Sequence, residues 1–315
     1  MSRELKGGDF RNRYRIEGTL KTISPLHVGT GDVDKERVPA VKSGGKVEKV
    51  PEVSTVMKDH DGVPMIPGSS LRGVVRHWLL NVLRGEYAEW ADVLTDPDEK
   101  SLLEKEQGQQ IQHIKDNFSV LQVLFGTSFN AGKVEIWDAS CAVDDERKKK
   151  LTATKSLLHW KEKSLTYVDT SVVINPETGT AQDKLLYQTE VVPAGVEFKF
   201  NLVGQNLSDE ELGLILFGLQ GFNSAIYPIC VGARSGRGYG RMCFTLENVY
   251  RLQAGDELKQ WVERSIAAMG GDNKGGKDSL QENAGYFGLP TLTSDEQKAL
   301  IRGVKDALLK SAGGA

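Results

Sequence analysis

Cysteine is scarce in this chain. Only three occur, Cys141, Cys230 and Cys243, each standing alone, which excludes a disulfide framework and the paired spacings of a zinc site and leaves buried thiols as the expectation. Positive charge is not in excess either: 40 Lys and Arg face 43 Asp and Glu, which excludes a uniformly basic coat for nucleic acid. Long hydrophobic runs are missing as well. The longest uncharged apolar stretches, Leu212 to Phe222 and Tyr227 to Ala233, fall short of the roughly 20 residues that cross a bilayer. Met1 to Phe10 is charged and has no apolar signal region. The expectation is a soluble, cytoplasmic protein without a membrane partner. Because 39% of the 315 residues are hydrophobic, the chain has enough apolar material for a real core.

Glycine, in contrast, is abundant, and it is concentrated with arginine in Gly232-Ala233-Arg234-Ser235-Gly236-Arg237-Gly238-Tyr239-Gly240-Arg241. Glycine lets a main chain approach a partner closely and take positive φ, while arginine offers a forked cation matched to phosphate. The segment lies between an apolar helical run, Leu212 to Phe222, and a strand-like run, Met242 to Val249, so it reads as a tight connection that suits a polyanion. A solvated basic loop is the plainer alternative. The rest of the charge is also uneven. Residues 1–84 carry an excess of Lys and Arg, whereas residues 85–118 are clearly acidic, which fits a protein that meets phosphates on one side only.

Arg13 to Ile23 alternates Tyr14, Ile16, Gly18, Leu20 and Thr22 with charged neighbours, the pattern of a half-buried strand. A long polar loop, Ser24 to Met65, is expected next. Pro67-Gly68-Ser69-Ser70 then opens a helix through Arg84 with a stripe of Leu71, Val74, Val75, Trp78, Leu79, Val82 and Leu83. An acidic insertion (86–110) precedes a second apolar run, Ile114 to Phe125, and Lys133 to Val143 reads as a strand. Lys155 to Gln188 forms a hairpin-like excursion around Asn175-Pro176-Glu177-Thr178-Gly179. Glu190 to Leu202 is a strand with a turn or interruption at Pro193-Ala194-Gly195. Ser208 and Glu211 form a capping box for the next helix, and Arg241 to Arg251 is the last strand. Beyond residue 252 the chain is mostly helical, with a capping box at Ser294 and Gln297 and a Gly-rich break at 270–276. Stripped of insertions, the order is β-α-β-β-α-β, an α+β, ferredoxin-like (RRM-like) arrangement with two helices on one face of an antiparallel sheet.

Two further places have chemistry. Ser24-Pro25-Leu26-His27-Val28-Gly29-Thr30-Gly31-Asp32-Val33-Asp34 ends the first strand, and a carboxylate on a glycine-flanked loop can reach a scissile phosphate or a divalent ion, although it is also an ordinary turn former. His27 is a proton shuttle by type or a packed histidine by position. At the helix start, Gly68, Ser69 and Ser70 offer N–H groups and hydroxyls at the positive dipole end, and Arg72 and Arg76 project four residues apart. Ordinary capping and a solvated charged face would look the same.

Pro25-Leu26-His27-Val28-Gly29-Thr30-Gly31, Ile66-Pro67-Gly68-Ser69-Ser70-Leu71-Arg72-Gly73-Val74-Val75-Arg76, Leu124-Phe125-Gly126 before a strand, Glu190 to Gly195 and the Gly-Arg loop together resemble the repeat-associated mysterious protein (RAMP) superfamily. Within it they are most similar to the backbone subunits, of the Cas "seven" kind, of type III CRISPR effector complexes, over about Tyr14 to Arg251. The resemblance implies a ferredoxin-like palm (1–251, with insertions about 33–65, 85–118 and 155–188), a thumb hairpin within Lys155 to Gln188, and a helical C-terminal extension (252–315). It implies repeated copies wrapped on a guide crRNA beside other Cas subunits, and metal-dependent cleavage of complementary target RNA, with Mg2+ or Mn2+ at an aspartate after the first strand. Asp32 matches that aspartate, Asp34 less well, and the long loop leaves Asp59 or Asp61 open. Ser69, Ser70, Arg72, Arg76, Gly232, Arg234, Ser235, Gly236, Arg237, Gly238, Tyr239 and Arg241 would hold RNA, with Tyr239 stacking on a base or simply packing. A non-catalytic RNA scaffold, and a metal-independent guide-processing ribonuclease using His27, are the competing readings.

Overall fold

Alternation produces the central strand. Over β1 (Asn12–Thr22) the side chains of Tyr14, Ile16 and Leu20 are buried, with Gly18 and Thr22 in the same phase, while the intervening residues stay partly exposed. The computed structural model describes residues 5–36, 38, 41–43, 46–49, 52–87, 89–91, 104–174, 177–270 and 289–312. After β1 come β2 (Gly29–Asp34), β3 (Val41–Ser43), β4 (Lys46–Lys49), β5 (Val53–Val56), β6 (Met65–Ile66) and α1 (Gly68–Leu83). Next are α2 (Gln107–Asn117), α3 (Val120–Phe125), β7 (Val134–Ile136), β8 (Ala139–Ala142) and α4 (Asp145–Thr152). The chain continues through β9 (Tyr167–Ile174), β10 (Ala181–Val191), β11 (Glu197–Gln205), α5 (Asp209–Gln220), β12 (Met242–Gln253), α6 (Asp256–Gly270) and α7 (Ser294–Ala312).

The larger sheet has the order β12-β1-β11-β8-β6, with β7 also on β11. β1 runs antiparallel to both β11 and β12, and β11 antiparallel to β7. One face is covered by α1 and α5: Leu71, Val75 and Leu79 meet Leu212, Ile215 and Leu219 over Ile16, Leu20, Phe198, Phe200 and Phe244 in one core. This is the expected α+β, ferredoxin-like order, with β7 and β8 sharing the place of one strand. Lys133 to Val143 is thus two short strands with a corner at Trp137-Asp138. There the Asp138 carboxylate accepts the Gly68 N–H at 2.7 Å.

A second sheet, β2-β5-β10-β9, stands beside it. The polar segment from Ser24 to Met65 is therefore not a loop: it supplies β2 and β5 to this sheet and forms the separate β3-β4 pair. The hairpin excursion is present as β9 and β10; residues 175 and 176 of its turn lie outside the described residues. Pro193 to Gly195 is a turn where the chain leaves the second sheet and enters the first as β11, and Gly195 there has φ +83°. The apolar run 114–125 is broken at Phe118-Ser119, where Ser119 forms a capping box with Gln122 and starts α3 as a new helix. The Ser208–Glu211 box is formed, and Glu211 also takes the buried Lys133 ammonium at 2.7 and 2.8 Å. The box expected at Ser294 sits one residue earlier. Thr293 and Glu296 exchange the two capping bonds, at 2.7 and 3.3 Å. Residues 271–276 of the Gly-rich break lie outside the described residues, but α7 returns to α5 and buries Val304 in the main core.

The second sheet is tied together by one carboxylate. Glu190, at the end of β10, is 2% exposed. Its oxygens accept from the Lys58 ammonium at 2.8 and 2.9 Å, the Thr166 hydroxyl at 2.7 Å and the Val56 N–H at 3.1 Å. Burial pushes its pKa up, but these donors outweigh burial and hold it below the ordinary 4.5. A depressed carboxylate pKa contributes stability that is present above about 4.5 and is lost as pH falls through the lower folded value. Glu190→Ala, which strands a partly buried ammonium, is expected to cost about 3–5 kcal/mol in urea unfolding at pH 7. Glu190→Gln is expected to flatten the fall in stability below pH 4.5 seen in the parent. Unchanged midpoints in both variants would show that the carboxylate does not hold the strands of the second sheet together.

Candidate nucleic-acid interface

The Gly-Arg segment folds as a tight loop that cannot form with other residues at two positions. Gly232 and Gly240 have φ +80° and +75°, and a Cβ at either would run into backbone, the His27 carbonyl for Gly232 and the Val231 carbonyl for Gly240. Between them, Ser235–Arg237 makes one 3-10 turn, flanked by Arg234 at φ +65° and Gly238 at φ +85°. The loop is stitched to the segment after β1: Ala233 N–H donates to the His27 carbonyl at 2.9 Å, Gly240 N–H to the Pro25 carbonyl at 2.8 Å, and Arg241 N–H to the Ser24 hydroxyl at 3.0 Å. On the other side of that segment, Leu26 and Val192 exchange both backbone bonds at 2.9 Å. Two motifs 200 residues apart in the chain thus form one surface.

On it Arg237 and Arg241 are exposed and Arg234 is half-buried, with Ser235, Gly236 and Gly238 exposed between them. Burial and the neighbouring Arg237 cation lower the Arg234 pKa, and Asp169 on β9 opposes that fall; a guanidinium so placed remains a cation at neutral pH. Its Nη1 atom is buried with no hydrogen-bond partner among the described residues, a donor with an acceptor still to be supplied. Tyr239 is 8% exposed, so of its two expected roles the structure supports packing, not stacking on a base.

His27 is 6% exposed, with Nδ1 2.7 Å from the Glu190 carbonyl. Burial lowers its pKa below 6.5, with Arg234 adding to the effect, so the ring is neutral and Nδ1 donates. It holds the loop's support and is poorly placed as a proton shuttle.

Asp32 does not lie on a free loop. It belongs to β2, which pairs with β5 through Val33 opposite Ser54 and Asp34 opposite Val53, and its carbonyl accepts the Thr55 hydroxyl at 3.3 Å. Glycines at 29 and 31 weaken strand propensity, but the β5 ladder overrides them. Its side chain is exposed. The Asp34 carboxylate is engaged, accepting Glu36 N–H at 2.8 Å and facing the Lys161 ammonium at 3.9 Å. Asp59 is a turn residue: its carboxylate accepts Asp61 N–H at 3.0 Å and Val63 N–H at 2.9 Å. Asp61 is exposed beside His60. Among the described residues no three His, Cys, Asp or Glu side chains gather as a metal site.

The expected anion site at the α1 start is partly filled by the protein itself. Asp138 takes the Gly68 N–H, and the first turn packs against the Ile136–Trp137 backbone. Ser69 is exposed and Ser70 half-buried, while burial and the nearby Arg76 cation lower the Arg72 pKa, as expected of two arginines sharing a face. This patch rests on β7 and β8, not on the Gly-Arg loop. Asp169 and Lys161 join the surface without having been foreseen. The alternation of Tyr167, Asp169 and Ser171 was visible in the sequence, but which strands they would face depends on the order of the second sheet.

Among the described residues no helix is long and apolar enough to cross a membrane. No curated protein matches the chain. The family model of the RAMP superfamily matches residues 19–243, a span that takes in the end of β1, the β2 strand with Asp32, α1, the β9-β10 hairpin and the whole Gly-Arg loop. The chain belongs to the RAMP superfamily and is thereby a CRISPR-associated RNA-binding protein.

Proposed function

We propose that this chain is a guide-RNA-binding backbone subunit of a type III CRISPR effector complex, and that it cuts target RNA paired to the guide through Asp32. The observation that supports the reading is the stitching of Ala233 and Gly240 to His27 and Pro25, which fastens the cationic, glycine-lined loop to the segment that leads into the strand of Asp32. In this reading residues 1–251 are the RNA-binding body, and 252–315 an extension seated through α7. Arg234, Arg237 and Arg241 bind backbone phosphates, which gives position and not base readout, since guide–target pairing supplies the sequence.

At the cut, the 2′-oxygen of a splayed target nucleotide attacks the adjacent phosphorus, and the 5′-oxygen of the next nucleotide leaves with a proton from water. The exposed Asp32 carboxylate accepts the 2′-hydroxyl proton and orients the attack. A lone carboxylate does not enclose a cation, so the Mg2+ or Mn2+ requirement belongs to the same proposal as an ion ligated chiefly by RNA phosphate and water. A scaffold that binds without cutting is the second reading, and it is favoured because no three His, Cys, Asp or Glu side chains gather as a metal site among the described residues.

The test is cleavage of guide-complementary RNA by the assembled complex carrying Asp32 or Asp32→Ala, in magnesium and in chelator. A fall of about 10²–10⁴-fold with guide binding retained is expected, with no cut in chelator; unchanged cutting by Asp32→Ala would leave this chain as scaffold. Arg237→Ala is expected to weaken guide binding across all sequences and to reduce the slope of log affinity against log salt by about one. A slope equal to the parent's would remove Arg237 from the phosphate contacts.

A further inference from the structure

The sheet face opposite α1 and α5 carries a cleft of about 320 Å³ that has no part in the Gly-Arg surface. Arg13 and Arg15 of β1, Trp137 from the β7-β8 corner, Tyr250 of β12 and Trp261 of α6 line it. It lies at the start of β1, where Arg13 pairs with Leu252, whereas the Gly-Arg loop joins β12 at the other end, where Thr22 pairs with Met242. At about 3.3 Å per residue the two ends of the strand are roughly 30 Å apart.

The groups in the cleft are already fixed in position. The Trp137 backbone N–H donates to the Asn201 backbone carbonyl at 3.0 Å, and the Asn201 side chain accepts from Arg15 Nη2, also at 3.0 Å. The Arg15 guanidinium carbon is 4.9 Å from the Trp137 ring centroid, and Glu17 holds its Nε at 3.0 Å. Despite these contacts Trp137 remains 43% exposed, a large apolar ring held rigidly in water. Ordering these side chains in advance lowers the entropic cost of binding. The volume is at the small end of the range for small-molecule sites, about 300–1,000 Å³, which suits one nucleotide and no folded partner.

We infer that this cleft binds a single unpaired nucleotide, its base against the aromatic and guanidinium planes and its phosphate toward Arg13. Aromatic rings stack with any base, and arginine contributes through its cation. An apolar side chain from a partner protein fits less well, because it would dehydrate the Arg13 and Arg15 guanidinium groups without bringing an anion. The nucleotide is either part of an RNA strand or free, and both offer the same chemistry.

Full-length protein is titrated with AMP and with a short oligoadenylate by calorimetry, and labelled with 8-azido-AMP followed by peptide mapping. Saturable binding is expected, with label on peptides containing Trp137, Tyr250 or Trp261 and with affinity for both probes reduced about tenfold in Trp137→Ala. Arg13→Glu, at an exposed position, is expected to weaken both as well. Arg237→Ala is expected to leave AMP binding unchanged, which separates this site from guide binding by the loop. Oligoadenylate binding much tighter than AMP assigns the nucleotide to an RNA strand, and equal affinities assign it to the free pool; either supports the site. No saturable binding, label elsewhere, or binding that survives both Trp137→Ala and Arg13→Glu overturns it.

Discussion

A single buried carboxylate ties the second sheet together, and the backbone around it holds the segment beneath the Gly-Arg loop. Glu190 ends β10, and its oxygens gather donors from β5, from Lys58 beyond it and from Thr166 before β9. Its own carbonyl receives His27, and two residues later Val192 pairs with Leu26. The segment from Pro25 to His27 is thereby held from one side by β10, leaving the carbonyls of Pro25 and His27 to receive the Gly-Arg loop from the other. A buried ion pair is a weak source of net stability compared with apolar packing of the same volume. What it provides here is position: donors from separate chain segments converge on one group, and misplacing any of them leaves a buried charge unsatisfied.

That dependence explains which features were legible in the sequence and which were not. β1, α1, α5 and β12 each bury a face against the main core, so hydrophobic periodicity reports them directly, and the Ser208–Glu211 box reports a helix start through local chemistry alone. β2 is exposed at most positions and contains Gly29 and Gly31, so neither alternation nor propensity marks it. It exists because β5 offers it a ladder, and β5 in turn is anchored by Glu190, which lies more than 130 residues away in the chain. No window of sequence contains that information. The same non-local cause hid Asp138, whose carboxylate occupies the N-terminus of α1 from 70 residues away and reduces a site that the Gly68-Ser69-Ser70 motif had advertised.

The Gly-Arg loop was recognisable for the opposite reason. Its demands are local, since close approach to the carbonyls of His27 and Val231 at positive φ restricts Gly232 and Gly240 to glycine whatever the partner strand. Tyr239 shows the limit of such reading: composition placed an aromatic ring beside arginines, but only the packed structure shows that the ring is turned inward. A net charge of −3 conceals this surface because acidic and basic residues are unevenly distributed along the chain.

On the proposed reading, the division between grip and cut follows from chain length. Ala233 touches His27, and five residues separate His27 from Asp32, so at about 3.3–3.6 Å per residue the carboxylate lies no more than roughly 18 Å from the point where the loop is fastened. It lies on the exposed surface of a paired strand and not in the phosphate cradle. A guide strand must survive many rounds of use, so a carboxylate able to assist attack by a 2′-hydroxyl has to be kept away from the phosphates that the arginines bind. On that reading, Asp32 in β2 stands outside the loop that the arginines form, and a second strand splayed alongside the guide would bring its phosphate to the carboxylate.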